Sequence, residues 1–149
     1  MSSESYAIGK EIRDSSYGIE GTVYWEKLRE ICPTHAHAIH EYVFGTIWSR
    51  PALDVKTRHL ITIALGVSLD ATHEVTQHTR GALNHGATQE DIIETILHCA
   101  PYIGFPRTNH ALKAAKSVFD QWDEKQEEWK PLHSPASAQQ GAEAPSSER

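Results

Sequence analysis

The chain has 149 residues and a formal net charge of -6, one domain's worth of sequence, with no cluster of lysines and arginines of the kind that phosphate contacts need, which argues against a nucleic-acid partner. Its two cysteines, Cys32 and Cys99, match neither a zinc-site nor a CxxC redox spacing, which argues against a disulfide framework. The N-terminus MSSESYAIGKEIRDSS has no apolar signal core and no run reaches the length of a membrane span, so a soluble, cytoplasmic protein without a membrane partner is expected.

Residues 1–21, with Gly9, Gly18 and Gly21, lack sustained periodicity and read as an ordered N-terminal arm or loop. From Thr22 the segment TVYWEKLREI has apolar residues at helical spacing and stops before Pro33. Thr34 is expected to cap a helix through HAHAIHEYVFGTIWS, which Pro51 ends, and Asp54 to cap VKTRHLITIALGVSL. The second half of that helix has almost no polar face, which suits the centre of a bundle or a subunit interface.

A further helix is expected over residues 71–85, with Gly86 as its C-cap. Thr88 and Asp91 then form a capping-box pattern ahead of Ile92, Ile93, Ile96, Leu97 and Ala100, with Pro101 interrupting near the end. After the loop IGFPR, a last helix carries Ala111, Leu112, Ala115, Val118, Phe119 and Trp122. No segment alternates like a strand. The expected fold is all-α, a compact bundle of about six helices over residues 22–130, followed by a small, polar, Pro-rich tail at 131–149 that reads as disordered. A core this small leaves an apolar helix face for another copy of the chain to cover, so an oligomer is expected.

Chemistry concentrates between Glu74 and Pro106. Glu74 and His78 lie four apart on one helical face, where a carboxylate can orient an imidazole and raise its proton affinity. An exposed ion pair explains the same spacing equally well. His98, with Glu94 four residues before it, sits on the next, strongly apolar helix, as a second polar residue of the same pocket or as a hydrogen-bonded core histidine. Two Glu-x-x-x-His pairs also raise a metal reading, but the carboxylates of a di-iron bundle have no match here, and no metal is assigned.

His35, His37 and His40 do not share one helical face and read as scattered surface or interface residues. Arg50 and Arg80 are candidates for holding a carboxylate, or else ordinary structural ion pairs. The four tryptophans read as core and interface fillers. Between Gly45 and Phe119 seven cations stand against six anions, so this near-neutral middle could receive an anion.

The strings FGTIWSRPALDVKTRHLITIALGVSL and EVTQHTRGALNHGATQEDIIETILHCAPYIGFP resemble the carboxymuconolactone decarboxylase family, and within it the 4-carboxymuconolactone decarboxylase branch. The resemblance covers roughly residues 9–119 and rests on WSRP, ExxxH, the GAT turn and HCxxYxGxP in this order. It implies an alkylhydroperoxidase D-like helical fold, usually assembled as a homohexamer. The related alkylhydroperoxidase D enzymes carry a CxxC where this chain has Ala71 and Glu74, so a thiol peroxidase is disfavoured.

By this resemblance Glu74, His78 and His98 match the polar active-site positions, and the substrate is a small anionic lactone. In 4-carboxymuconolactone the departing carboxylate sits at the γ-carbon of an unsaturated lactone, whose carbonyl receives the electrons. The substrate is its own electron sink, so no cofactor is implied, and the protein's tasks are to hold the anion, stabilise the dienolate and protonate carbon to give 3-oxoadipate enol-lactone, in the protocatechuate branch of the beta-ketoadipate pathway. The roles this implies are His78 as proton donor oriented by Glu74, His98 as donor to the lactone carbonyl, and Arg50 and Arg80 as carboxylate clamps. Either histidine could reach the ring. Arg107 and Thr108 stand where small alanines are usual in the family, and Arg107 either reshapes the pocket or adds a carboxylate contact. Such departures leave open decarboxylation, isomerisation or dehydration of another lactone or keto acid in specialised metabolism, or a binding subunit that has lost catalysis.

Overall fold

A computed structural model describes residues 3–133 of the chain, so most of the expected tail, residues 134–149, lies outside the described residues. Those residues form seven α-helices and one π-helical segment and contain no strand, the all-α architecture expected.

The largest difference from the sequence reading is at the N-terminus. The segment expected as an arm or loop is helical, because α1 runs over Glu4–Ile31 with Ser3 as N-cap accepting from the Tyr6 amide. Its periodicity is hidden because its buried face is polar: Arg13, Asp14, Ser15 and Ser16 all point inward and satisfy one another or distant groups. Gly18 breaks the helix in two with φ +62°, where a Cβ would lie 2.5 Å from the Glu128 carbonyl oxygen. The Leu132 amide donates to the Asp14 carbonyl at 3.0 Å, so the chain after the last helix returns to α1.

α2 (Pro33–Ala38) begins on Pro33, whose missing N–H costs nothing in a first turn, so Cys32 rather than Thr34 is its N-cap. It runs directly into the π-helical segment Ile39–Trp48, whose wider winding continues to the Ser49 amide donating to the Phe44 carbonyl five residues back. Asp54 caps α3 (Val55–Ser68) by accepting from the Thr57 amide at 2.7 Å. α4 (Thr72–Asn84) is followed by Gly86 at φ +88°, and α5 (Gln89–Ile103) opens on the Thr88–Asp91 capping box and holds Pro101 in its last turn. α6 (Phe105–Gln121) and the short α7 (Gln126–Trp129) complete the order.

Two apolar clusters hold the helices together. One joins α3 to α6 through Ile63, Val67, Val75, Ile92, Ile96 and Ala111. The other joins α1, the π-helical segment and the start of α3 through Ile12, Tyr17, Phe44, Trp48 and Val55. Full burial of a side chain such as Ile63 or Ile92 contributes about 1.5–3 kcal/mol. α3 buries only one of its apolar faces. Ile61, Leu65 and Leu69 stay exposed, and Ile61 lines a groove with Leu97 of α5. No helix among the described residues is long and apolar enough to cross a membrane.

Candidate active site

α1, the π-helical segment, α3 and α4 enclose a cavity of about 400 Å³ whose lining includes Tyr17, Phe44, Trp48, His73, Glu74 and His78. The aromatic walls come from α1 and the π-helical segment, with Tyr17 edge-on to both Phe44 and the His78 ring. Glu74 and His78 come from one face of α4, as their spacing requires, with Glu74 Oε2 3.7 Å from His78 Nε2. His78 is buried and Glu74 is half exposed.

Behind His78 lies a chain of buried polar groups. His78 Nδ1 is 3.0 Å from Nδ1 of His59, a fully buried residue of α3. His59 Nε2 is 3.1 Å from Ser16 Oγ, and His85 Nε2 is 3.1 Å from the same oxygen and 3.2 Å from Ser15 Oγ. Ser16 and Ser15 both donate to the Ile12 carbonyl, at 2.7 and 2.8 Å. The Tyr17 hydroxyl adds a longer contact of 3.4 Å to His78 Nδ1.

Burial sets the electrostatics. It holds the proton affinity of His78 down, to a pKa of about 4, and does the same to His85. His59 is pushed well below the ordinary histidine value by burial and then by the two neighbouring histidines. All three imidazoles are therefore neutral at neutral pH. Burial sets the net shift of His78 downward, opposite in direction to the rise that a neighbouring carboxylate favours, with Glu74 half exposed and 3.7 Å away. Burial likewise raises the Tyr17 pKa and keeps its hydroxyl protonated.

The sequence model of the carboxymuconolactone decarboxylase family matches residues 33–117, more than half of the chain and the stretch that supplies Phe44, Trp48, His59, Glu74, His78 and His85. The chain belongs to this family. It is 37% identical over 94 residues to 4-carboxymuconolactone decarboxylase of Acinetobacter baylyi, a match covering 63% of this chain and 70% of that protein. It is 39% identical over 93 residues to the nitrosuccinic acid decarboxylase npaB of Metarhizium robertsii, covering 62% of this chain and 65% of that one. An uncharacterized 15.0 kDa protein of Paracoccus denitrificans is 35% identical over 99 residues, covering 65% and 74% of the two chains.

Within this carboxymuconolactone decarboxylase family member, the structure gathers only part of the expected site. Glu74 and His78 share the cavity. His98 does not join them, because Ile92, Ile96 and Cys99 form the buried face of α5 and turn Glu94 and His98 outward, into a shallow groove against Leu60, Ile61 and Ala64 of α3. The two Glu-x-x-x-His pairs thus line different depressions and form no joint metal donor set.

None of the three arginines lines the cavity. Arg80 is buried with Nη1 2.8 Å from Glu20 Oε2 and its guanidinium carbon 4.9 Å from the centre of the Trp129 ring, so it ties α4 to α1 and α7. Arg107 reaches the Ser68 carbonyl at 2.6 Å, and Arg50 is exposed, its own carbonyl accepting from Arg58. The residues sequence reasoning missed are Ser16, Tyr17, His59 and His85. The available signals were a lone histidine amid the apolar residues of α3 and a mid-helix glycine, Gly81, facing it.

Proposed function

We propose that this chain is a decarboxylase that needs no cofactor, acting on a small acid whose carboxylate leaves behind a delocalised anion, with 4-carboxymuconolactone as the first candidate and 3-oxoadipate enol-lactone plus carbon dioxide as products. The observation that carries the reading is the placement of His78 Nε2 in an apolar, aromatic-walled cavity where burial keeps the ring neutral. An anionic substrate entering that cavity raises the proton affinity of His78, since a negative charge close by in a poorly solvated site favours the imidazolium. Loss of carbon dioxide then spreads the charge through the lactone ring toward the carbonyl. The departing carbon dioxide is neutral, so the charge stays in the cavity as a carbon base, and the His78 imidazolium, disfavoured by burial, gives it the Nε2 proton. Glu74, half exposed and 3.7 Å from Nε2, is the group through which that nitrogen is reprotonated.

The same chemistry serves a nitro acid, because decarboxylation beside a nitro group leaves a nitronate. The relative named for nitrosuccinic acid makes that acid the second candidate. The exposed apolar residues of α3, Ile61 and Leu65 among them, are the surface for a second copy of the chain, and His98 lies in the adjoining groove with Ile61 and Leu97, so its part in the chemistry comes through assembly. The test is to follow carbon dioxide release from fresh 4-carboxymuconolactone and from nitrosuccinic acid. Turnover of the first gives the expected result. Turnover of the second alone moves the substrate to a nitro acid, and tight binding of both without release overturns the enzyme reading in favour of a binding subunit.

A further inference from the structure

We propose that His59 is a positioning residue that fixes the tautomer of His78, holding Nδ1 as the protonated nitrogen so that Nε2 is the proton-exchanging atom facing the cavity. The inference rests on the reading of His78 as the proton donor and deepens it.

The order of the hydrogen bonds follows from one atom. Ser16 Oγ has one hydrogen, and it is taken by the Ile12 carbonyl at 2.7 Å. Its two lone pairs must then accept, one from His59 Nε2 at 3.1 Å and one from His85 Nε2 at 3.1 Å. A neutral His59 that donates through Nε2 has a bare Nδ1. That nitrogen faces His78 Nδ1, at 3.0 Å, so in this order His78 donates to it through Nδ1, and the more distant Tyr17 hydroxyl, 3.4 Å from the same His78 nitrogen, does not donate to it. The remaining nitrogen, Nε2, carries the lone pair on the Glu74 side of the ring. Every polar atom of Ser16 and both nitrogens of His59 are satisfied in this order, as full burial demands.

A neutral acceptor in this position differs in effect from a carboxylate. It orients the imidazole without stabilising its charged form, so His78 stays a weak base in the empty cavity and a strong acid once charged. Space for the arrangement is provided by Gly81, one turn after His78 on α4, where a Cβ would lie 2.1 Å from Cε1 and 2.6 Å from both nitrogens of the His59 ring. The helix carrying the donor therefore also carries the gap into which its positioning residue fits.

The test uses the full-length protein labelled with nitrogen-15, its histidine ring nitrogens read at pH 7 in long-range proton–nitrogen spectra. A single neutral tautomer of His78 protonated at Nδ1, with His59 protonated at Nε2, is expected. A His78 ring protonated at Nε2, or averaging between tautomers, overturns the proposal. This readout needs no substrate, so absence of decarboxylation would remove the reading of the site while the spectra still decide the tautomer order. In turnover of 4-carboxymuconolactone, His59→Leu is expected to lower kcat about tenfold or more with KM within about threefold, because it removes a group that acts on the proton transfer and not on binding. His59→Asn, whose amide oxygen can take the place of Nδ1, is expected to recover most of that loss. Equal activity of His59→Leu and the native protein would overturn the assignment.

Discussion

His59 and His78 meet Nδ1 to Nδ1 at 3.0 Å, two buried neutral imidazoles from adjacent helices with a glycine, Gly81, opposite the His59 ring. That contact couples the packing of α3 on α4 to the chemistry of the cavity. A side chain added at the helix contact must move the ring that holds His78 in place.

Gly81→Ala tests this coupling. In an ordinary helix the change would gain up to about 1 kcal/mol from helix propensity. Here the new methyl meets the His59 ring at 2.1 Å, and overpacking of a filled core costs about 1–3 kcal/mol, so the clash wins. The expected outcome is a lower urea midpoint together with reduced turnover. A variant as stable and active as the native protein would show that the ring can shift at no cost.

His78→Gln removes the titrating group while keeping a polar side chain of similar reach. Its kcat on the accepted substrate is expected to fall by about 10²–10⁴, the usual cost of losing a general acid. Steady-state carbon dioxide release measures it, and near-full turnover would place the proton donor elsewhere.

Stability is expected to fall as pH drops from 6.5 toward 4. The unfolded chain takes up protons on its histidines near 6.5, whereas folded His78 and His85 resist protonation down to about 4. Their contribution is therefore complete above pH 6.5 and is lost as pH falls through this window. For His78 alone the loss is on the order of 3 kcal/mol. Urea midpoints at pH 8, 6 and 5 measure it, and His78→Gln should flatten the dependence.

Arg80→Met separates a structural arginine from a substrate clamp. Loss of the pair to Glu20 and of the stacking on Trp129 is expected to destabilise the fold by about 1–3 kcal/mol while KM stays within about threefold. A tenfold rise in KM with unchanged thermal stability would return Arg80 to the binding site.

Leu65→Glu places a charge on the exposed apolar face of α3, at a residue that does not line the cavity. Sedimentation of the native chain as an oligomer, and of this variant as a smaller species, is the expected pair of results.

The helical class, the helices after Thr22 and the shared helical face of Glu74 and His78 were legible in the order of residues alone. Each of these is written in short-range signals: apolar residues at helical spacing, the Asp54 cap, the Thr88–Asp91 capping box, and a four-residue interval that any α-helix turns into neighbours. Family membership was legible for the same reason, since ordered motifs survive without knowledge of their contacts. What stands behind His78 emerges from the packing of distant segments. Ser16 and His59 are 43 residues apart and Ser16 and His85 are 69 apart, so no local pattern joins them, and α1 hid its role by burying polar residues that satisfy one another. Tertiary packing also took Arg50, Arg80, Arg107 and His98 out of the cavity. An arginine's partner and a histidine's facing depend on which side of each helix the core claims, and burial, which reversed the expected shift of His78, is a property of the whole fold.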